Sequence, residues 1–245
     1  MVHRLAATLA LVCLFCLCAL AVSADTSLYG PWSGPGPAAN ATASYLGATG
    51  LMITPTAMVA APLKASAYYH TIRTDPDQAF YGVTLGLVPG LEASGVHLQN
   101  LEPLPSAPTG HPNATVFNAK YQPPVASWLN EPQAPKVAVG VNDVSNAVNR
   151  TLYVVLSKSF NAGQGPASAF NLHLGYGHAN KDDTRLDGIF AGFDYAPISQ
   201  ALVQVEYDAK SINAGVRLYP APWLSLDAGV VSNDLALGLT FRSDW

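Results

Sequence analysis

The feature that most constrains this chain is a two-residue alternation of apolar with small or polar side chains over residues 187–245. In the last stretch Leu235, Leu237, Leu239 and Phe241 share one face, with Trp245 in the same parity. Ala236, Gly238 and Thr240 fill the other, because successive strand side chains point to opposite faces. Four earlier stretches repeat the pattern: Ile189, Ala191, Phe193 and Tyr195; Ala201, Val203, Val205 and Tyr207; Ile212, Ala214, Val216 and Leu218; Leu224, Leu226, Ala228 and Val230. With those faces set, Asp194, Gln204, Glu206, Asp208, Asn213, Arg217 and Asp227 all fall on the opposite side. A soluble sandwich turns its polar face to solvent and its apolar face to a second sheet. A membrane barrel inverts this, with lipid outside and a polar lumen.

Connection lengths test the strand assignment, since facing residues must lie on the same side of a sheet. Pairing Val230 with Leu235 leaves a two-residue link at Ser232-Asn233. Pairing Leu218 with Leu224 leaves Pro220-Ala221-Pro222, and a link at Ala209-Lys210 places Glu206 opposite Asn213. None of these flips a face, as expected of an antiparallel meander.

Composition narrows the class further. The 245 residues suit one domain, and the 11% of charged residues with a net charge of −4 offer no basic surface for nucleic acid. A mean hydropathy of +0.20 is high for a soluble domain. Beyond the N-terminus, however, no apolar run approaches the roughly 20 residues of a spanning helix. A barrel reconciles the two facts because its lipid face uses every second residue.

Residues 1–24 read as a secretory leader: His3 and Arg4 form a basic end, residues 5–21 an apolar core, and Val22-Ser23-Ala24 a small-residue cleavage site. Cys13, Cys16 and Cys18 all lie within it, so the mature chain is expected to contain no cysteine chemistry. Residues 25–46, rich in Gly, Pro, Ala and Ser, are expected to be a flexible periplasmic lead-in, and residues 47–245 a single barrel domain. Within Gly47 to Ala57 the glycines permit tight backbone and Pro55 ends any ladder, which predicts a short edge or plug segment.

A family resemblance enters at these residues. Gly50-Leu51-Met52-Ile53-Thr54-Pro55-Thr56-Ala57, then Tyr81-Gly82-Val83 with Gly90-Leu91-Glu92, resembles the opening of the YjbH-like outer-membrane β-barrels associated with exopolysaccharide. Ala119-Lys120-Tyr121, Ala138-Val139-Gly140-Val141, Glu206-Tyr207-Asp208 and Asn213-Ala214-Gly215-Val216-Arg217 are similar to that family's later strands. Where the family has a charged Asp-Gly turn after Pro-Thr-Ala, this chain has residues 58–62. The resemblance implies an outer-membrane barrel, and it implies no catalytic residues.

The remaining strands are predicted at 63–72, 78–87, 91–99, 115–121, 135–141, 151–160 and 168–177. With the five of the tail this gives an all-β, antiparallel, up-and-down transmembrane β-barrel of 12 strands, an even number that returns both termini to one side. Links 101–114, 142–150 and 178–186 are expected outside the cell, and the short links at 89–90, 197–199 and 220–222 in the periplasm. Link 122–133 breaks that rule by its length, and its Val125 to Leu129 stretch reads as a short helix, a plug or a miscounted strand. Two registers are open around Lys158: outward with Leu156 and Phe160, or inward with Tyr153, Val155 and Ser157 outward.

The candidate lumen network comprises Lys120, His173, Asp194, Glu206, Asp208, Asn213, Arg217 and Asp227, with Glu206, Asp208, Asn213 and Arg217 expected to satisfy one another, since a buried unpaired charge is costly. His70, His97, His111, His173 and His178 lack zinc-ligand spacing, so no metal and no cofactor is expected. Asn40-Ala-Thr, Asn113-Ala-Thr and Asn149-Arg-Thr match the glycosylation acceptor pattern at its chance frequency. No Gly-x-Ser-x-Gly elbow is present, and His173 with a lumen serine is the pairing left for nucleophilic chemistry, so the chain is expected not to be an enzyme. Leu237, Leu239, Phe241 and Trp245 look like the terminal signal read by the barrel-assembly machinery. The expected partners are therefore outer-membrane lipid, that machinery and polysaccharide-export components. The expected function is a passive outer-membrane component, either a narrow pore or an accessory to exopolysaccharide export. The alternative from another class is a secreted, soluble β-sandwich that binds carbohydrate.

Overall fold

The computed structural model describes residues 42–243, apart from 102–112, 130, 132–133, 162–168, 182–183 and 199. Residues 1–24, expected as a leader, residues 25–41 of the expected lead-in, and Trp245 lie outside the described residues. Twelve strands follow one another: β1 Ala65–Ile72, β2 Gln78–Val88, β3 Leu91–Gln99, β4 Ala114–Tyr121, β5 Lys136–Asn142, β6 Thr151–Asn161, β7 Ala169–Ala179, β8 Gly188–Ile198, β9 Ala201–Tyr207, β10 Ile212–Ala221, β11 Leu224–Val231 and β12 Asp234–Arg242. Each pairs antiparallel with its neighbours, and β1 closes on β12, with Ala67 opposite Phe241 and Ile72 opposite Ala236. Closure leaves no sheet edge and excludes the two-sheet sandwich.

The observed register follows the face argument with one correction. Val230 pairs with Leu235 through a tight turn in which Ser232 and Asn233 both have positive φ, as a type I′ hairpin requires. Glu206 faces Asn213. Leu218, however, pairs with Leu226, and Ala221 with Leu224. A bulge between Leu218 and Ala221 extends β10 past Pro220, which has no N–H to give a ladder, and face parity is kept. Around Lys158 the first register holds: Leu152, Val154, Leu156 and Phe160 are exposed outside, while Tyr153, Val155 and Ser157 are buried inside.

One rim, called proximal here, carries the start of β1, the end of β12, the ends of β6 and β8, the starts of β7 and β9, and residues 89–90, 122–129 and 222–223. The distal rim carries the ends of β3 and β7, the starts of β4 and β8, and residues 73–77, 143–150, 184–187, 208–211 and 232–233. The long proximal link contains a single-turn helix, α1 Val125–Leu129, with Trp128 and Leu129 exposed. The strand count is therefore unaffected by it.

The exterior is apolar. Val83, Leu85, Phe117, Leu152, Leu174, Tyr176, Ile189 and Leu226 are among the exposed large hydrophobic side chains. Near the proximal rim Phe160 stacks on Phe170 at 5.0 Å, Phe170 lies 6.0 Å from Phe193, and Trp223 stacks on Phe241. Strands of 7 to 11 residues, an apolar outer band and interfacial aromatic rings are the attributes of a transmembrane barrel.

Candidate functional site

The bore of the barrel is filled by the chain's own residues 42–57. Thr42, Ala43, Ser44, Tyr45, Ala48, Thr49, Leu51, Met52, Ile53, Thr54, Thr56 and Ala57 are all buried. Residues 42–46, assigned from composition to a flexible lead-in, thus belong to the folded unit. Such a segment cannot order itself, but here the barrel supplies its partners. The segment folds back on itself through bridges from Ala43 to Thr49 and from Gly50 to Pro55. Gly47 has a φ of +96°, and a Cβ there would meet Val96 at 2.3 Å, so the bend needs glycine.

The wall grips this plug mainly by its backbone. Five plug-side N–H groups donate to wall side chains: Thr49 and Ala60 to Glu92 at 2.9 and 2.8 Å, Ile53 and Thr54 to Glu206 at 2.8 and 2.9 Å, and Ala57 to Ser157 Oγ at 2.8 Å. Six carbonyls accept from the wall. Lys120 Nζ donates to Thr49 and Thr56 at 2.7 and 3.1 Å, and Arg217 to Gly50 and Leu51, both at 3.2 Å. Asn118 Nδ2 donates to Leu46 at 2.8 Å and Thr84 Oγ1 to Gly47 at 2.7 Å. The four from Lys120 and Arg217 are charge-assisted, and such bonds are stronger than neutral ones.

All eight candidate network residues are buried, but they form four groups. Lys120 pairs with Glu92 at 3.1 Å, and the two stand opposite each other on β3 and β4. Arg217 pairs through Nε with Asp227 at 2.7 Å, and so lies apart from the set with Glu206, Asp208 and Asn213 expected for it. Asn213 Nδ2 bridges Glu206 at 3.1 Å and Asp208 at 3.0 Å, while Asp208 takes its cation from Arg185, 2.5 Å away. At this distal turn burial opposes ionisation of Asp208. The Arg185 guanidinium and the N–H groups of Ser211 and Lys210 outweigh it, holding the carboxyl below the usual carboxylate range. The fourth group joins Ser157 Oγ to His173 Nδ1 at 2.7 Å and His173 Nε2 to Asp194 Oδ2 at 2.8 Å, with Asn171 Nδ2 donating to Asp194 Oδ1 at 2.7 Å.

Sequence reasoning missed Glu92 and Ser157. Both were legible in part: Glu92 shares inward parity with Ser94 and Val96, and Ser157 was the inward residue of one of two open registers. The lumen is also less polar than expected. Tyr45, Met52 and Ile53 of the plug pack with Tyr68, Phe80, Val96 and Val116 of the wall, and Tyr45 stacks on His70 at 4.2 Å. An apolar plug face requires an apolar wall to bury against. Wall glycines make the room, since a Cβ on Gly192 would meet Leu51 at 2.4 Å and one on Gly215 would meet Met52 at 2.7 Å. Among the described residues no three His, Cys, Asp or Glu side chains converge to hold a metal ion.

No protein-family model matches the chain, and no curated protein matches it. The YjbH-like resemblance therefore rests on its short motifs alone. Among solved structures the chain is similar to the KdgM porin in complex with disordered oligogalacturonate, at 14% identity over 74% of this chain and 99% of that one, with a TM-score of 0.46. It is also similar to the N-terminal β-barrel domain of Pseudomonas aeruginosa OprF, at 12% identity over 75% of this chain and 99% of that one, with a TM-score of 0.26. Likeness at this level bears on neither substrate nor selectivity.

Proposed function

We propose that the chain is an integral outer-membrane β-barrel whose pore is held shut by its own N-terminal segment. The apolar exterior suits lipid, and a closed barrel satisfies its backbone without water. The observation that supports gating is the mode of plug attachment: eleven backbone groups of residues 46–60 are bound by wall side chains. Bonds to backbone can be exchanged for bonds to water on withdrawal, whereas a structural core would be fastened by side-chain interdigitation throughout. The barrel is passive in this reading, and the cargo proposed for it is exopolysaccharide, with which the YjbH-like barrels it resembles are associated.

Two measurements test it. Cell fractionation with a heated-versus-unheated detergent gel should recover the chain in the outer membrane with a heat-dependent mobility shift, and recovery as soluble protein would overturn the location. In planar bilayers the native protein should be silent and the Glu92→Gln/Lys120→Met double variant, which removes a clamp without stranding a charge, should conduct. A folded double variant that stays silent would leave a closed structural barrel. Loss of secreted exopolysaccharide from a strain lacking the chain is the corresponding test of cargo.

A further inference from the structure

Within the lumen, Ser157, His173 and Asp194 stand on three consecutive strands, β6, β7 and β8. Ser157 lies directly opposite His173, and Asp194 lies opposite Asn171, one inward position along. The residue facing His173 across the next pair is Gly192, and the space over it beside the imidazole is taken by the Leu51 side chain of the plug. The carboxylate at Nε2 fixes the tautomer in which Nδ1 is bare, and the serine hydroxyl donates to that bare nitrogen. Each member is nine-tenths or more buried. The remaining contact of the serine oxygen is the N–H of Ala57, which belongs to the plug and not to the wall.

Ala57 is the point at which the plug turns out of the bore. Residues 58–63 follow as a strap across the proximal mouth, half-buried at Met58, Val59 and Ala60 and exposed at Ala61, Pro62 and Leu63. The strap is fastened by the Ala60 N–H on Glu92 and by Leu63 N–H on the Gly86 carbonyl at 2.8 Å. Ser157 is four positions from the proximal end of its strand, about 13 Å at the usual rise per residue. Lifting the strap would open it to the periplasmic side without emptying the whole bore.

We infer that Ser157, His173 and Asp194 form a masked serine nucleophile, covered by the strap and directed at carboxylic esters that reach the lumen from the proximal mouth. Ser157 Oγ bonds to the ester carbonyl carbon as its proton passes to His173 Nδ1. That proton goes to the alcohol oxygen as the ester C–O bond breaks. Water, giving its proton to the same nitrogen, then releases the acid and restores the serine. Asp194 acts as a positioning residue through His173. The inference rests on the gated reading to the extent that the plug's exit must be movable.

The test uses the full chain carrying a protease site between Ala61 and Pro62, folded in detergent and cut afterwards, so that the barrel forms before the strap is freed. A fluorophosphonate probes the nucleophile, with the modified residue located by mass spectrometry. A small thiol reagent on the Ser157→Cys variant reports accessibility. Cut protein should be labelled at Ser157 and uncut protein should not, and His173→Gln should slow labelling of the cut protein about a hundredfold, the scale of general-base assistance. Labelling indifferent to His173→Gln would overturn the inference. So would an accessible Ser157→Cys thiol with an unlabelled Ser157, or a thiol that stays protected after cutting. Labelling without conductance would retain the nucleophile and remove the gate; conductance without labelling would do the reverse.

Discussion

The plug meets two walls that treat it differently. On β3 to β8, Glu92 and Lys120 neutralise each other and bind plug backbone together with the Thr49 hydroxyl, and the Ser157–His173–Asp194–Asn171 chain ends on the Ala57 N–H. On β10 to β12 and β1, among the described residues, Arg217 is the side chain that reaches plug backbone. There Ser225 Oγ, Asp227 Oδ2 and His70 Nδ1 are buried with no protein partner. The first wall has such atoms too, Asn142 Oδ1 and Tyr153 Oη, and each costs about 1–3 kcal/mol if left unmade, so the two walls differ chiefly in how many bonds to plug backbone withdrawal would break. If the proposed gate opens, release is expected to start at β10 to β12, where one side chain holds plug backbone, and to come last at the β3 to β8 clamp.

Removing the closure itself breaks the comparison most completely. Deleting residues 241–245 takes away the Phe241 rung that faces both Ala67 and Leu224, together with the terminal residues that look like the assembly signal. No heat-modifiable band and no outer-membrane recovery are expected. Normal insertion of the truncated chain would show that neither the seam nor the signal lies there.

The next largest effect sharpens the contrast at its weaker wall. Arg217→Leu strands the buried carboxylate of Asp227 and cuts the Arg217 bonds to Gly50 and Leu51. A loss of about 3–5 kcal/mol is expected, read as a lower urea midpoint for the heat-modifiable form. Arg217→Leu/Asp227→Leu, which removes both charges, should restore most of that stability while leaving the plug unfastened on this side, so it should conduct. If the single and double variants were equally stable, the pair would not be the reason for the loss.

How much of this was legible beforehand follows from what imposes each feature. Strands β9 and β11 were placed to within a residue because lipid on one face and polar lumen on the other enforce strict alternation, and hairpin parity then fixed Glu206 opposite Asn213. The Leu218 register escaped because a bulge shifts pairing without changing parity, which the alternation cannot report. Residues 42–46 escaped for a different reason: their local bonds, such as the bridge from Ala43 to Thr49, are not announced by any periodicity, and their wall partners, Asn118 Nδ2 on the Leu46 carbonyl for one, lie far along the chain. Glu92 stands out in the sequence only as part of a motif, since the outward residues around it, Ala93, Gly95 and His97, give too weak an apolar face to announce its parity. Its place opposite Lys120 could have been found by asking which inward cation on the neighbouring strand lacked an anion.

Steric pressure offers a milder perturbation from the β8 side. Gly192→Val would put a branched side chain where Leu51 sits, its Cβ 2.4 Å from the Leu51 side chain. Overpacking of this kind costs about 1–3 kcal/mol, and because the plug is more easily moved than the sheet, the strain should be relieved by displacing residue 51. Faster proteolysis of the segment 42–57, with the barrel's heat-modified mobility unchanged, is the expected outcome. A barrel that melts as a whole would mean that plug and wall are one cooperative unit.

The smallest expected effect lies at the distal rim, where Asp208 bonds to Arg185, Asn213 and the Ser211 and Lys210 N–H groups without touching the plug. Asp208→Asn should lower stability by about 1 kcal/mol, as for loss of a typical net hydrogen-bond contribution, and leave conductance unchanged. Because the folded carboxyl is held below its ordinary value of 3.8, its contribution is fully present above that value and is lost as pH falls through the lowered one. The gap in melting temperature between native and Asp208→Asn protein should therefore be constant near neutrality and close below about pH 4. A gap that persists into stronger acid would assign the stability to packing at the turn, and a gap that alters conductance would join the rim to the gate, from which the bonding pattern separates it.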